Sequence, residues 1–210
     1  MLKKIIIIGA GDLGRELLWL IDDINKVIPT YEVAGFLDDN EKKIGTVLNG
    51  YKVLGANDMV YKLNIPAVIA IQSGVLRKKI AEKLSDFDNW ETIIHPSAHI
   101  ADSTKLGKGC IVCAGVNISI DTIIGNHCFL NLSGIIGHDC TLGNYVSILS
   151  NACVSGHVSI GECSYIATNS TVVPYAKIGS HCMVGAGSVV IRNVKDNVTV
   201  MGVPAKIIKF

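Results

Sequence analysis

The sequence predicts a small α/β domain built on a Rossmann-like parallel sheet, followed by a parallel β-helix of about five coils. Three observations predict it. From Ile100 to Val190 an aliphatic residue recurs at every sixth position, sixteen times without exception. Four residues beyond each of these stands a small residue: Gly, Ala, Ser, Cys, Thr or Val. Before residue 90 the pattern changes, and apolar runs alternate with amphipathic stretches.

The first ninety residues follow a strand–helix alternation. "KKIIII" reads as a buried strand, "GAGDLG" as a glycine loop, and Leu13, Leu17, Leu20 and Ile24 mark one face of a helix. "YEVAGFLDDN" is a second strand ending in acids. "YKVLG" and "ANDMVYKLN" make a short strand and helix, "PAVIAIQSG" a further strand, and "VLRKKIAEKLSD" a further helix. Such alternation implies a parallel sheet with helices on its faces. "ETIIHPSAHI" is the junction, so the expected domains are 1–92 and 93–210, the second including a tail, "GVPAKIIKF", that folds back along the repeat.

Hexapeptide periodicity is the mark of a parallel β-helix. Each hexad supplies one short strand and one corner, with the aliphatic side chain inward and the small residue filling the rest of a narrow interior. Three hexads close a triangular coil of 18 residues, stacked on the next at about 4.8 Å. Glycine follows the aliphatic residue at 107, 125, 137, 143, 161, 179 and 185, where a tight turn with unusual backbone angles is expected. The small column takes up Cys110, Cys128, Cys140 and Cys182, which therefore read as filler rather than reactive thiols.

Composition excludes several classes. A net charge of +1 offers no electrostatic grip on nucleic acid. No apolar run approaches a membrane span of roughly 20 residues. Seven cysteines without a CxxC pair suggest reduced thiols in a cytoplasmic protein and imply no metal site.

Two groups of residues point to chemistry. Gly9-Ala10-Gly11-Asp12-Leu13-Gly14 is a GxGxxG between strand and helix, and Asp38 and Asp39 end the next strand. That context suits phosphate on backbone N–H groups and ribose on an acid. About 90 residues are few for a full dinucleotide fold, which favours a single nucleotide or nucleotide sugar over NAD. The second group is His138-Asp139. Stepping 18 residues stacks Gly156 over His138, which would leave a groove beside the imidazole, and sets Asp139 between Asp121 and His157. Adjacent residues on a straight strand point apart, so Asp139 orients His138 only at a bend. His127 and His181 are expected to be solvated corner residues. Ile120, Ile123, Phe129, Leu132 and Ile135 face outward by register, and this apolar surface needs a cover, either another copy or the N-terminal domain.

With "GAGDLGRE", "FLDDN", "VIAI" followed by "RKKI", "IHPSA", "GHDC", the hexads and "GVPAK", the chain resembles a known family over essentially its whole length. This is the left-handed β-helix acetyltransferases of bacterial sugar modification, the sialic acid O-acetyltransferase and UDP-4-amino-sugar N-acetyltransferase group. The resemblance implies a left-handed coil, a cytoplasmic homotrimer with active sites between subunits, acetyl-CoA as acetyl donor, and a nucleotide-sugar acceptor of bacterial surface-glycan biosynthesis. It implies His138 as general base with Asp139 as its adjacent acid, and Gly9, Ala10, Gly11, Asp38 and Asp39 at the nucleotide. It also implies CoA along the later coils, with Gly156, Ala167, Gly185 and Ala186 letting the pantetheine approach and Lys206 near a phosphate. The chain departs from the family at Asp12-Leu13-Gly14 (commonly Gly-His-Gly), at Gln72 (a glycine) and at Ser147 (a second histidine in some members). Other expected outcomes are O-acetylation of sialic acid, a polysaccharide or a metabolite such as serine, or a non-catalytic nucleotide-sensing module.

Overall fold

The computed structural model describes residues 2–208. The N-terminal unit contains β1 (Lys3–Ile8), α1 (Asp12–Val27), β2 (Tyr31–Leu37), β3 (Val47–Leu48), β4 (Tyr51–Gly55), α2 (Met59–Leu63), β5 (Ala67–Ile69) and α3 (Gly74–Lys83). The sheet order is β3-β4-β2-β1-β5. Ile5, Ile6, Ile7 and Ile8 are all fully buried, because helices or prism cover both faces of the central strand. The sheet is parallel except for β3, which pairs antiparallel with β4 through Asn49 (φ 48°) and Gly50 (φ 86°). Asn-Gly supplies the two positive φ angles that a two-residue hairpin needs.

From Ile93 the chain winds into a left-handed parallel β-helix of three sheets. The first face begins with Ile93–Ile94, the second with His99–Ile100, and the third with Lys105–Leu106. Partners lie 18 residues apart, as Asn117, Ile135 and Cys153 do on the second face. Thr199–Met201 and the antiparallel Lys206–Ile208 extend the first face, so the tail does fold back on the prism. Among the described residues no helix is long and apolar enough to cross a membrane.

The corners differ from expectation. Positive φ falls three residues after each inward aliphatic residue, at every sixth position from Gly109 to Gly187, and most of these positions carry side chains. Each such N–H from His127 onward donates to a carbonyl in the coil below: Asp139 N–H to Ile120 O at 3.1 Å, His157 N–H to His138 O at 2.9 Å. The glycines directly after the aliphatic residues have ordinary φ and serve another need. A Cβ on Gly137 would lie 2.6 Å from the Gly156 nitrogen, so these positions are bare where coils pass too closely for a side chain.

The interior column is buried as expected, with Cys110, Cys128, Cys140 and Cys182 at 2% exposure or less. It is more than filler, since its polar members donate to corner carbonyls one coil on. Thr122 Oγ1 reaches Gly137 O at 2.9 Å, and Cys140 Sγ reaches Ser155 O at 3.1 Å. A part-buried corner carbonyl that no backbone N–H reaches is thereby satisfied.

The N-terminal unit sits on the first face. Leu17, Leu18, Leu20 and Phe36 share a core with Ile93, Ile111, Phe129 and Leu149. This covers Phe129, while Ile120, Ile123, Leu132 and Ile135 stay exposed. Arg77 of α3 reaches the prism and is 1% exposed. Its guanidinium donates to the carbonyls of Ile71, Gln72, His127, Tyr145 and Val146 and to Ser147 Oγ, and among the described residues no carboxylate pairs with it. Burial lowers its pKa to about 10, so it remains charged at neutral pH.

His127 is not a solvated corner. It is 5% exposed, stacked on Tyr145 with ring centroids 5.3 Å apart, and capped edge-on by Trp90. The segment that leads from α3 into the prism lies over this corner, whereas His181, at the same corner position higher up, is exposed. Burial, and then the Arg77 charge, push the His127 pKa down to about 4.

Two predictions follow from this core. Because His127 is depressed in the folded chain, its neutral form supports the fold above its unfolded pKa of about 6.5 and is lost as pH falls toward 4. Urea unfolding should show about 2 kcal/mol less stability at pH 5 than at pH 7 from this group, and His127→Asn should flatten that slope. Arg77→Met leaves the carbonyls of Ile71, His127 and Tyr145 without a donor, and should cost on the order of 3 kcal/mol in the same measurement; a loss below about 1 kcal/mol would contradict the assignment.

Candidate active site

The corner between the second and third faces carries the histidine–aspartate pair. Ile136 and Leu142 anchor the flanking strands in the core, and Asp139 turns the chain with φ 57°. This turn is the bend the pair requires. His138 Nδ1 lies 2.7 Å from Asp139 Oδ2. An ionised carboxylate can only accept, so Nδ1 carries the ring hydrogen and Nε2 keeps its lone pair. Both side chains remain about half exposed, at 51% and 45%.

Gly156 lies over His138 as the 18-residue step implies, but no groove opens there. A Cβ on Gly156 would stand 2.7 Å from His138 Nε2 and Cε1, so the imidazole itself fills the space. His157 sits above Asp139 with Nε2 3.8 Å from the same Oδ2. Its ring meets His138 edge-on at 5.0 Å and stacks on Tyr175 at 4.7 Å. Cys140 is buried, and burial raises its thiol pKa, which fits the interior role rather than a nucleophile.

The N-terminal unit holds a cleft of about 300 Å³ lined by Gly9, Gly11, Leu13, Asp38, Lys43 and Gln72, among others. Gly9 has φ 109°, and a Cβ there would meet Ala70 O at 2.8 Å, so only glycine fits. Gly11 caps α1 without a side-chain hydrogen bond, which leaves first-turn N–H groups and the positive helix end facing the cleft. Asp38 Oδ2 accepts from Ala10 N–H and Lys43 Nζ, both at 2.9 Å. Burial alone would raise its pKa, but Lys43 and the N–H groups of Asn40 and Ala10 outweigh it and hold the carboxyl below its usual range.

The expected nucleotide residues thus divide. Gly9, Gly11 and Asp38 line the cleft, while buried Ala10 contributes by tethering Asp38. Asp39 is taken up elsewhere, accepting from Asn57 N–H and Lys83 Nζ at 2.9 Å each. Lys43, a cation within the cleft, went unread because nothing distinguishes it among the neighbouring lysines of "NEKK". Gln72 Nε2 donates to Tyr165 Oη at 2.6 Å and so ties the cleft wall to the first face. Ser147 is buried in that same contact, its hydroxyl donating to Gln72 O.

The residues expected along CoA also divide. Ala186 and Lys206 are exposed. Ala167 is 9% exposed, and Gly185 is covered: a Cβ there would be 2.6 Å from Met201 Cε. The strand Thr199–Met201 lies over Gly185, which removes it as an open approach for pantetheine.

Comparison with known proteins supports the same two parts. Residues 4–84 match the PglD N-terminal domain, and residues 157–192 match the bacterial transferase hexapeptide (six repeats). A UDP-N-acetylbacillosamine N-acetyltransferase of Bacillus subtilis is 36% identical over 119 residues, 54% of this chain, and the match spans about half (52%) of that protein's length. A perosamine N-acetyltransferase from Caulobacter crescentus, solved with CoA and GDP-perosamine, is 31% identical with a TM-score of 0.89, over 100% of this chain and 99% of that one. The acetyltransferase domain of PglB from Neisseria gonorrhoeae, solved with acetyl coenzyme A, is 27% identical with a TM-score of 0.88, over 99% of this chain and 100% of that one. With a solved relative 31% identical over essentially the whole of both chains, the chain belongs to the left-handed β-helix, hexapeptide-repeat sugar acetyltransferase family.

Proposed function

We propose that the chain transfers the acetyl group of acetyl-CoA to an amine of a nucleotide-activated sugar, with His138 as general base. One observation carries this reading: Asp139 holds the Nδ1 hydrogen of His138, which leaves Nε2 as a free acceptor at an exposed corner. A thioester is already activated, so the protein has to align the acceptor and take its proton as nitrogen attacks the carbonyl carbon. His138 Nε2 receives that proton, and Asp139 balances the imidazolium. The proton then passes to the departing CoA sulfur as the carbon–sulfur bond breaks, which returns the imidazole to neutrality.

Gly156 suits the oxyanion. Its N–H has no partner among the described residues, and it adjoins the imidazole at the same corner. A backbone donor held rigid by the coil stabilises charge that appears only in the tetrahedral intermediate. Ala186 and Lys206 remain the exposed candidates for CoA along the later coils.

Residues 1–92 would bind the nucleotide sugar and 93–210 perform the transfer. The diphosphate would meet the N–H groups opening α1, with Lys43 as countercharge. In one chain the cleft and His138 are apart: the N-terminal unit covers the first face, and the His138 corner is the one opposite. A neighbouring copy must therefore bring its cleft to this corner. Ile120, Ile123 and Ile135 flank the corner at 45–55% exposure and suit such an interface, and the family's trimer would close it.

The test is incubation with acetyl-CoA and UDP-, GDP- and dTDP-linked amino sugars, read by mass spectrometry. A gain of one acetyl group on one of them is expected, and no transfer to any would overturn the reading. His138→Ala should fold normally and lower kcat by roughly 10² to 10⁴. Gly156→Ala should keep the fold yet cost on the order of 10²-fold in kcat, because its methyl displaces the imidazole; wild-type turnover there would refute the seating role.

A further inference from the structure

The corner column holds a third polar group that the transfer mechanism does not use. His157 Nε2 and His138 Nδ1 both face one oxygen, Asp139 Oδ2, at 3.8 and 2.7 Å. One ligand atom from each of the three residues lies within 4.8 Å of the others. Two imidazole nitrogens and a carboxylate are the donor set that suits a borderline divalent cation, zinc above all, with a fourth position left for water.

We propose that His138, Asp139 and His157 form a zinc-binding site whose occupation switches the enzyme off. The site is held in shape before any ion arrives. Asp139 and His157 both sit at left-handed corners, with backbone hydrogen bonds to the coil below. Gly156 seats the His138 ring, and Tyr175 stacks against the His157 ring. All three side chains are at least 40% exposed, so an ion can reach them. Among the described residues no lysine or arginine pairs with Asp139, which leaves its negative charge to the two imidazoles.

A second constellation on the prism shows why such proximity is not sufficient. Glu162, Cys163 and His181 are as close together, but Lys78 already neutralises Glu162. Cys163 is buried, and burial, followed by the Glu162 charge, raises its pKa to about 11, so no thiolate is on offer. The His138 corner has neither defect.

The switch follows from the tautomer. A neutral imidazole has one ring hydrogen, and in the free protein Asp139 keeps it on Nδ1. Zinc bound at Nδ1 moves that hydrogen to Nε2, with no net loss of a proton. Nε2 then becomes a donor, and the base that the proposed acetyl transfer requires is gone. This consequence rests on that reading of function; the binding site itself does not.

The experiment uses the full chain with the metal alone. Cobalt(II), added as a spectroscopic stand-in, should give visible absorption at one equivalent per chain, abolished by zinc. His157→Asn, which tolerates the left-handed corner, should lose this uptake at least about 10-fold while keeping turnover within a few-fold of wild type. Zinc at micromolar levels should inhibit the wild type, a chelator should restore it, and the variant should resist. No cobalt uptake by the wild type, or equal uptake by His157→Asn, overturns the site. Uptake and its loss in the variant, in a protein that transfers no acetyl group, would uphold the site and remove the function instead.

Discussion

The hydrogen bond from each left-handed corner N–H, from His127 onward, to the carbonyl nineteen residues earlier is the constraint on which the rest of the molecule depends. A non-glycine residue in that conformation costs roughly 1–2 kcal/mol, and the chain accepts this at corner after corner. The return is a coil length held at 18 residues, so every corner side chain stands over its counterpart in the coil below. Stacked columns follow from that register. One column runs through His127, Tyr145 and Cys163, and the chain entering the prism buries it; its histidine is neutral and structural. Another runs through Asp121, Asp139, His157 and Tyr175 at an open corner, and there the same backbone geometry presents chemistry. What separates the two columns is cover.

The hexads made the prism legible because an inward aliphatic residue every six positions has no other economical packing. The corner conformation was less legible, since the conspicuous glycines mark close approach between coils while most strained positions carry Asp, Asn, His, Tyr, Ser or Cys. Burial by a distant segment leaves no local trace, which is why His127 read as solvated and Gly185 as open. The hairpin at Asn49–Gly50 did have a local signal, but strands of two residues are too short for a periodic pattern to flag. At the site, the sequence placed His138, Asp139 and Gly156 in one neighbourhood; the contact between the first two depended on a backbone angle that no side chain announces.

Arg77 explains how two units behave as one frame. A cation buried without a carboxylate is stable only when its N–H groups are matched, and here carbonyls from both units supply the match. The planar fork of arginine reaches acceptors that a lysine ammonium could not serve together. Two of those carbonyls belong to Ile71 and Gln72 in the wall of the N-terminal cleft. The cleft is thereby registered to the prism, with the Ser147 hydroxyl set between the guanidinium and Gln72 O.

That rigid registration bears on how the proposed acceptor cleft and the proposed base would work together. In the proposed function, transfer chemistry is confined to one corner, where a base, its orienting acid and a bare glycine would serve the reaction. The proposed nucleotide cleft lies in a separate unit on the opposite side of the same chain, where Lys43, Leu13 and Gln72 line it without touching His138. If a neighbouring copy joins the two, the frame between them sets their register, and Arg77 binds both units of that frame. Under that proposal Leu13 and Gln72 bear on which acceptor is held, and the His138–Asp139–Gly156 corner bears on what is done to it.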